Sequence, residues 1–278
     1  VIVALITPFT AAGTIDGHAH RHNLSTLAGW GLKGFLIGGS TGLGPYLEPG
    51  ERAILTATAR GELGSEQFLM TGISAQSVRQ AVAQIEEAAQ SEADAVLVTT
   101  PTLLLRKDDR LVESFYLAVA DASPLPVFCY SVPGVTGYEL PVESLLAVAH
   151  HPNIFGLKDS GGDPDRIEPI IRGVDETFLL YTGASRIVNE ATRRGAYGAI
   201  TTSANYAPDL VMAARENADA QDRLSAIVAN VEWHGLAGTY AAASMVGLGA
   251  GAMRAPLAPL DDETRERMRA ICCPDTPR

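Results

Sequence analysis

Eight short apolar runs, bounded by glycine, proline or asparagine, recur along the chain with helix-length segments between them. They are VIVALITPF (1–9), GFLIGG (34–39), FLMTGIS (68–74), AVLVTTP (95–101), PVFCYSV (126–132), IFGLKD (154–159), FLLYTG (178–183) and GAITT (198–202). A run that is apolar at consecutive positions offers no polar face to solvent, so it suits a parallel strand covered on both sides. The segments between carry helical periodicity and start signals; in SAQSVRQAVAQIEEAAQSEA, Ser74 or Ser77 is placed to cap. Strand–helix alternation eight times over predicts an α/β fold, a (β/α)8 TIM barrel closing near Ala204. A doubly wound open sheet is the alternative, but no Gly-rich dinucleotide fingerprint follows the first run.

After Asn205 the strand signal stops, and residues 208–260 read as helices of Ala, Leu, Val and Gly. The expected organisation is a barrel over 1–205 that carries the active site, with a small helical C-terminal region over 206–278. Within that region AGTYAAASMVGLGAGAM has residues small enough to pack closely on another helix, inside the chain or across a subunit boundary. The end, APLAPLDDETRERMRAICCPDTPR, reads as a charged, Pro-punctuated helix and tail.

With 278 residues, 46% hydrophobic and 19% charged, the chain can bury a full core. A net charge of −11 and the absence of any Lys/Arg run argue against a nucleic-acid surface and point to a small metabolite as partner. Cys129, Cys272 and Cys273 have neither metal-ligand spacing nor a disulfide framework, and the last two are expected free on the tail. No apolar stretch approaches the roughly 18 residues of a membrane span, and no leader pattern is present, so a cytoplasmic protein with no membrane partner is expected.

In a barrel the reactive groups stand at the C-terminal ends of strands. The sixth run ends on Lys158, where apolar surroundings would favour a free, nucleophilic amine over an ammonium; a salt bridge with Asp159 is the structural alternative. Tyr130, one strand over, could relay protons or simply be a packed aromatic. GGSTGLG (38–44) offers the hydroxyls of Ser40 and Thr41 with backbone N–H groups, a seat for a carboxylate or only a tight loop. Ile200 at the eighth strand could turn its carbonyl to the mouth. DSGGD and GGSTG could instead form phosphate nests, although Asp159, Asp163 and Asp165 make that region acidic. HAHRH, with His18, His20 and His22 on the first helix, is expected to be a chance surface cluster rather than a zinc site.

ALITPFTAAGTID, GGSTGLGPYLEPGER, ADAVLVTTP, CYSVPGVTG, PNIFGLKDSGGD, GAITTSAN and MRAPLAPL, in this order over nearly the whole chain, resemble the pyruvate-dependent class I aldolase family typified by dihydrodipicolinate synthase and N-acetylneuraminate lyase. The resemblance implies that Lys158 forms a Schiff base with pyruvate or another 2-oxo acid and that Tyr130 shuttles protons. It further implies that Ser40 and Thr41 hold the carboxylate and that the Ile200 carbonyl contacts the bound acid. No metal or organic cofactor is implied, and a homo-oligomer, dimer or tetramer, is.

Within the family the YSVPGVTG and MRAPLAPL blocks look closest to 4-hydroxy-2-oxoglutarate aldolase, in which the serine at the place of Ser160 lies near the substrate. 2-Keto-3-deoxy sugar-acid aldolases and dihydrodipicolinate synthase are the alternatives; Val135 stands where the synthase carries a carboxylate-anchoring arginine. The family's TPYY-like motif is replaced by TPTLLLRK, which puts Leu103 and Leu104 in the region of a tyrosine that serves a neighbouring subunit's proton relay. Leu43 replaces an acid. Water or Tyr46 could take over the relay, the substrate could be less polar, or the site could be vestigial in a non-catalytic 2-oxo-acid-binding barrel.

Overall fold

The computed structural model describes residues 1–105 and 108–272. Eight parallel strands close into a barrel in chain order: β1 (Ile2–Ala4), β2 (Gly34–Ile37), β3 (Phe68–Ile73), β4 (Ala95–Thr99), β5 (Val127–Ser131), β6 (Ile154–Asp159), β7 (Leu179–Thr182) and β8 (Gly198–Thr201). The helices between them are α1 (Gly17–Gly29), α2 (Glu51–Glu62), α3 (Val78–Gln90), α4 (Asp109–Ala122), α5 (Pro133–Thr136), α6 (Val142–Ala149), α7 (Ile167–Gly173) and α8 (Val188–Arg193). After the barrel come α9 (Pro208–Ala214), α10 (Ala218–Glu232), α11 (Gly235–Met245) and α12 (Asp262–Cys272). The (β/α)8 expectation is the observed fold, and every strand lies inside its expected run. Ser77, not Ser74, caps α3 by accepting from the Gln80 N–H at 3.3 Å.

Alternation along the strands sorts the core into two sets. Val127, Cys129, Val96, Val98 and Leu157 face the helices, whereas Leu36, Met70, Leu97, Phe128, Tyr130 and Ile200 fill the barrel. Only the start of the first run is in the sheet: the chain then turns over the barrel end, and Phe9 pairs antiparallel with Ile15 and Ala252. The closing seam is short, Ile2 against Ile200 and Val3 against Thr201. The Asn205 side chain extends it, accepting from the Ile6 N–H at 3.2 Å and donating to the Ala4 and Thr202 carbonyls at 2.8 Å each.

β6 carries an irregularity that decides which way its end points. Val127 pairs with Ile154 but Phe128 pairs with Gly156, so Phe155 is an extra, unpaired residue. Ile154 and Leu157, of opposite parity, consequently both face the helix layer. The bulge inverts the phase of the strand and turns Lys158 inward. Gly156 permits this, since a Cβ there would collide with the Leu179 carbonyl and lie 2.5 Å from the Phe128 ring.

The C-terminal region departs from expectation. Helix ends at Met245, and the stretch 246–261, punctuated by Gly247, Gly249, Gly251, Pro256 and Pro259, contains none. It is strapped to the barrel instead. Asn23 exchanges hydrogen bonds with Gly249 at 2.7 and 2.9 Å, and Arg254 reaches the Glu51 carboxylate at 2.6 Å while its guanidinium stacks 4.3 Å from the Phe9 ring centroid. α9 to α11 share one apolar cluster with β1, β2 and α1, through Val211, Leu224, Val228 and Tyr240 on one side and Val3, Leu24 and Phe35 on the other.

His18 and His22 are exposed on α1, but His20 is buried with Nε2 3.2 Å from the Leu55 carbonyl, which corrects the expectation of a wholly surface cluster. Among the described residues no group of three metal-ligating side chains occurs, and no helix is long and apolar enough to cross a membrane. Cys129 is buried, Cys272 ends α12, and Cys273 lies outside the described residues.

Candidate active site

The β5–β6 register sets Tyr130 opposite Lys158, both 4% exposed, with the lysine Nζ 4.4 Å from the phenol ring centroid. Among the described residues no carboxylate holds Lys158: its neighbour Asp159 accepts from Arg166 Nε at 2.9 Å and from the Gly161 N–H at 2.8 Å. The salt-bridge alternative for Lys158 is therefore not what forms. The same bonds fill the DSGGD turn from within, and the Ser160 N–H is spent on the Ser131 carbonyl at 2.9 Å, so this turn presents no open phosphate nest.

The chain has three lysines. Lys33 is exposed just before β2, at the opposite barrel end from the strand C-termini, and Lys107 lies outside the described residues. Lys158 alone of the described two is buried and aimed into the mouth.

Burial by itself would raise the Tyr130 phenol, but the Lys158 charge and hydrogen bonds with Ser160, Ser40 and Lys158 outweigh it and bring the phenol below its usual 10. Tyr130 thus joins the two sides of the mouth, with Ser40 from the β2 loop and Ser160 from the β6 loop both bonded to one phenol. Its own backbone is anchored by the buried Tyr116–Thr100 pair, at 2.8 Å, with Thr100 Oγ1 donating to the Tyr130 carbonyl at 2.9 Å.

Thr41 is buried and shares a hydrogen bond with Thr202 Oγ1 at 2.7 Å, while Thr7 Oγ1 donates to the Gly42 carbonyl at 2.6 Å. The Tyr240 hydroxyl, from α11, bonds to the Thr7 and Thr41 carbonyls at 3.1 and 3.3 Å. Across the mouth, Gly183 leaves room for the Ser160 and Lys158 side chains, because a Cβ there would overlap Ser160 Oγ and approach Lys158 Cε to 2.9 Å. Ile200 is fully buried in the same interior cluster as Tyr130.

Lys158, Tyr130, Ser40 and Ser160 are thus brought together, with Thr41 behind Ser40 in the same loop. Leu103 and Leu104 stand apart at 75% and 89% exposure on the loop after β4, and Val135 is 69% exposed on α5. Leu43, where an acid was expected, is buried in a left-handed conformation with φ 56° and serves as a plug beneath its loop. Tyr46 packs against the apolar cluster shared by β1, β2, α1 and α9 to α11, and is not among the partners of Tyr130.

Four residues near the site were not singled out from the sequence. Thr202 and Gly183 sit one residue past β8 and β7, where strand-end position was an available signal. Arg52 and Arg166 act on loops from the helix side, and nothing in their local sequence marks them.

Comparison with known proteins followed the same lines. The model of the dihydrodipicolinate synthetase family matches residues 1–273. A 4-hydroxy-tetrahydrodipicolinate synthase of Streptomyces coelicolor is 30% identical over 275 residues, 95% of this chain and 89% of that protein. An uncharacterized DapA-like lyase of Halobacterium salinarum is 32% identical over 281 residues, 97% of this chain and 91% of that one. Among solved structures, the dihydrodipicolinate synthase of Acinetobacter baumannii complexed with pyruvate superposes with a TM-score of 0.89 at 26% identity, covering 97% of this chain and 96% of that one.

Proposed function

Because the chain belongs to the dihydrodipicolinate synthetase family, carbon–carbon lyases and synthases that act through a lysine Schiff base with pyruvate, we propose that Lys158 is the Schiff-base lysine. The observation that carries this reading is the buried Lys158 amine, unpaired with any carboxylate and 4.4 Å from the Tyr130 ring centroid. Its substrate is a 2-oxo acid whose carboxylate lies against Ser40 and Thr41, with the Ile200 carbonyl and Ser160 at its flanks.

The chemistry follows from these positions. The Lys158 amine adds to the ketone carbon, and the Tyr130 phenol hands a proton to the carbinolamine oxygen, which leaves as water. The resulting iminium withdraws electrons from the neighbouring carbon. In 4-hydroxy-2-oxoglutarate, loss of the C4 hydroxyl proton then breaks the C3–C4 bond and releases glyoxylate. The electron pair rests in the enamine, C3 takes up a proton, and water returns pyruvate and the free lysine.

Cleavage of 4-hydroxy-2-oxoglutarate is the favoured reaction because the YSVPGVTG and MRAPLAPL blocks resemble those of its aldolase, and Val135, exposed on α5, stands where the synthase would carry an arginine. The names of the relatives favour the synthase reaction, and 2-keto-3-deoxy sugar acids are the remaining substrates of this class. A cytoplasmic homo-oligomer, with the active site in a barrel domain over 1–205 and a C-terminal region over 206–278, completes the reading.

Pyruvate with borohydride should add a reduced pyruvyl group to the Lys158 peptide, and Lys158→Arg should abolish it. The same protein should release pyruvate from 4-hydroxy-2-oxoglutarate faster than from 2-keto-3-deoxy sugar acids. Faster dihydrodipicolinate synthesis than either cleavage would hand the substrate to the relatives' reaction.

A further inference from the structure

We propose that Arg52 is a positioning residue of the site: its buried guanidinium grips the two ends of the Gly38–Gly44 loop and so sets Ser40 and Thr41 against Tyr130. The inference rests on reading Lys158 as the Schiff-base lysine and Ser40 and Thr41 as the carboxylate seat.

Arg52 stands in the first turn of α2 and is 4% exposed. Nη1 donates to the Gly72 carbonyl of β3 and, at 3.4 Å, to the Gly38 carbonyl; Nη2 donates to the Gly44 carbonyl at 3.3 Å. Gly38 and Gly44 bracket the loop, and Ser40 and Thr41 lie between them. The loop is folded so tightly that a Cβ on Gly44 would collide with the Gly38 carbonyl, and one on Gly42 would lie 2.7 Å from the Leu5 carbonyl. Its two ends thus share one guanidinium.

Among the described residues no carboxylate forms a salt bridge with Arg52; burial lowers its pKa to about 10, against the opposing charge of Glu87. A buried cation with no carboxylate in hydrogen-bond contact is an expensive way to fill space, and an apolar side chain of similar length would do so at less cost. What only arginine provides is a rigid planar fork that satisfies several carbonyls at once; a lysine is a single point donor. The outcome is felt at the mouth, where Ser40 bonds to the Tyr130 phenol and Thr41 to Thr202.

The test is borohydride trapping at Lys158 as a function of pyruvate concentration, in wild type, Arg52→Met and Arg52→Lys. We expect Arg52→Met, folded by circular dichroism, to need roughly tenfold more pyruvate or greater for half-maximal labelling, with the final extent unchanged. Arg52→Lys should fall between. A folded Arg52→Met with the wild-type half-saturation overturns the inference. Should Arg52→Met fail to fold, Arg52→Lys combined with Ser40→Ala and Thr41→Val decides. If Arg52 acts through those hydroxyls, the lysine substitution adds nothing in their absence; an undiminished added effect overturns the inference. Wild type that takes no label at all would instead remove the Schiff-base reading on which it stands.

Discussion

Glu51 and Arg52, adjacent in the first turn of α2, pull on opposite parts of the molecule. Glu51 takes Arg254 in a two-pronged bond at 2.6 and 2.7 Å and so ties down the C-terminal strap, while Arg52 turns inward to the carbonyls around Ser40 and Thr41. One helical turn therefore links the chain's last third to the rim of the barrel.

Arg254 also donates to the Gly13 carbonyl at 3.0 Å, and the Arg254–Glu51 side chains are 14% and 17% exposed, so this pair is worth more than a surface one. Arg254→Met should cost about 2 kcal/mol in urea unfolding, between the surface and buried extremes. The bond to Arg254 lowers the Glu51 carboxyl pKa from 4.5. Its contribution is present above that pH and is lost as pH falls through the lowered value. Glu51→Gln should accordingly lower stability at pH 7 and narrow its gap to wild type at acid pH.

His20 also has a lowered pKa, and from the opposite cause, since here the charged form is the one disfavoured. Burial brings it from 6.5 to about 4, so the unfolded chain gains a proton before the folded one does. Its share of stability is complete above pH 6.5 and is lost between there and 4. Wild type should lose about 2 kcal/mol more than His20→Gln between pH 7 and pH 5. Parallel losses in the two proteins would clear His20 of the effect.

Gly156→Ala should drive a methyl group into the Phe128 ring and straighten or strain the β6 bulge, at about 1–3 kcal/mol. The sharper readout is labelling of Lys158 by pyruvate and borohydride, which should fall as the lysine loses its inward aim. Adding Phe128→Leu should leave both defects largely in place, since the methyl group still meets the Leu179 carbonyl.

Tyr130→Phe should lower turnover by roughly a hundredfold or more while leaving Lys158 able to be labelled slowly. A relay that needs the protonated phenol fails as pH rises through its lowered pKa, so wild-type activity should decline on the alkaline side before pH 10. That limb should be missing from the Tyr130→Phe profile.

Much of this architecture is written in local pattern. Eight apolar runs with helices between them leave few folds open, and the ends of β5 and β6 set Tyr130 and Lys158 side by side as strand position suggests. The inward aim of Lys158 was assumed from its position, whereas it depends on the extra residue Phe155, which no periodicity reveals because each neighbour is apolar. The stretch 246–261 misled for a related reason: its composition is helical, yet Gly247, Gly249, Gly251 and two prolines leave it to be fixed by distant partners, Asn23, Phe9 and Glu51. His20 looked like a surface histidine because its neighbours His18 and His22 are exposed, and only packing against α2 distinguishes it. Arg52 was invisible for want of a partner in sequence; it binds carbonyls, which every residue carries.

The stitching by Asn205 bears on where the barrel can breathe. A hoop of eight staves is weak at its short joints: β8 holds each neighbour by only two residue pairs, and toward the first stave a side chain takes over from the backbone. Transient opening should begin there, and the Ile6 amide should exchange with deuterium sooner than amides of β5 and β6. The joint opens beside Thr202 and its partner Thr41, so the hoop would slacken next to the seat proposed for the substrate's carboxylate, and a bound 2-oxo acid would act as the clasp that slows it.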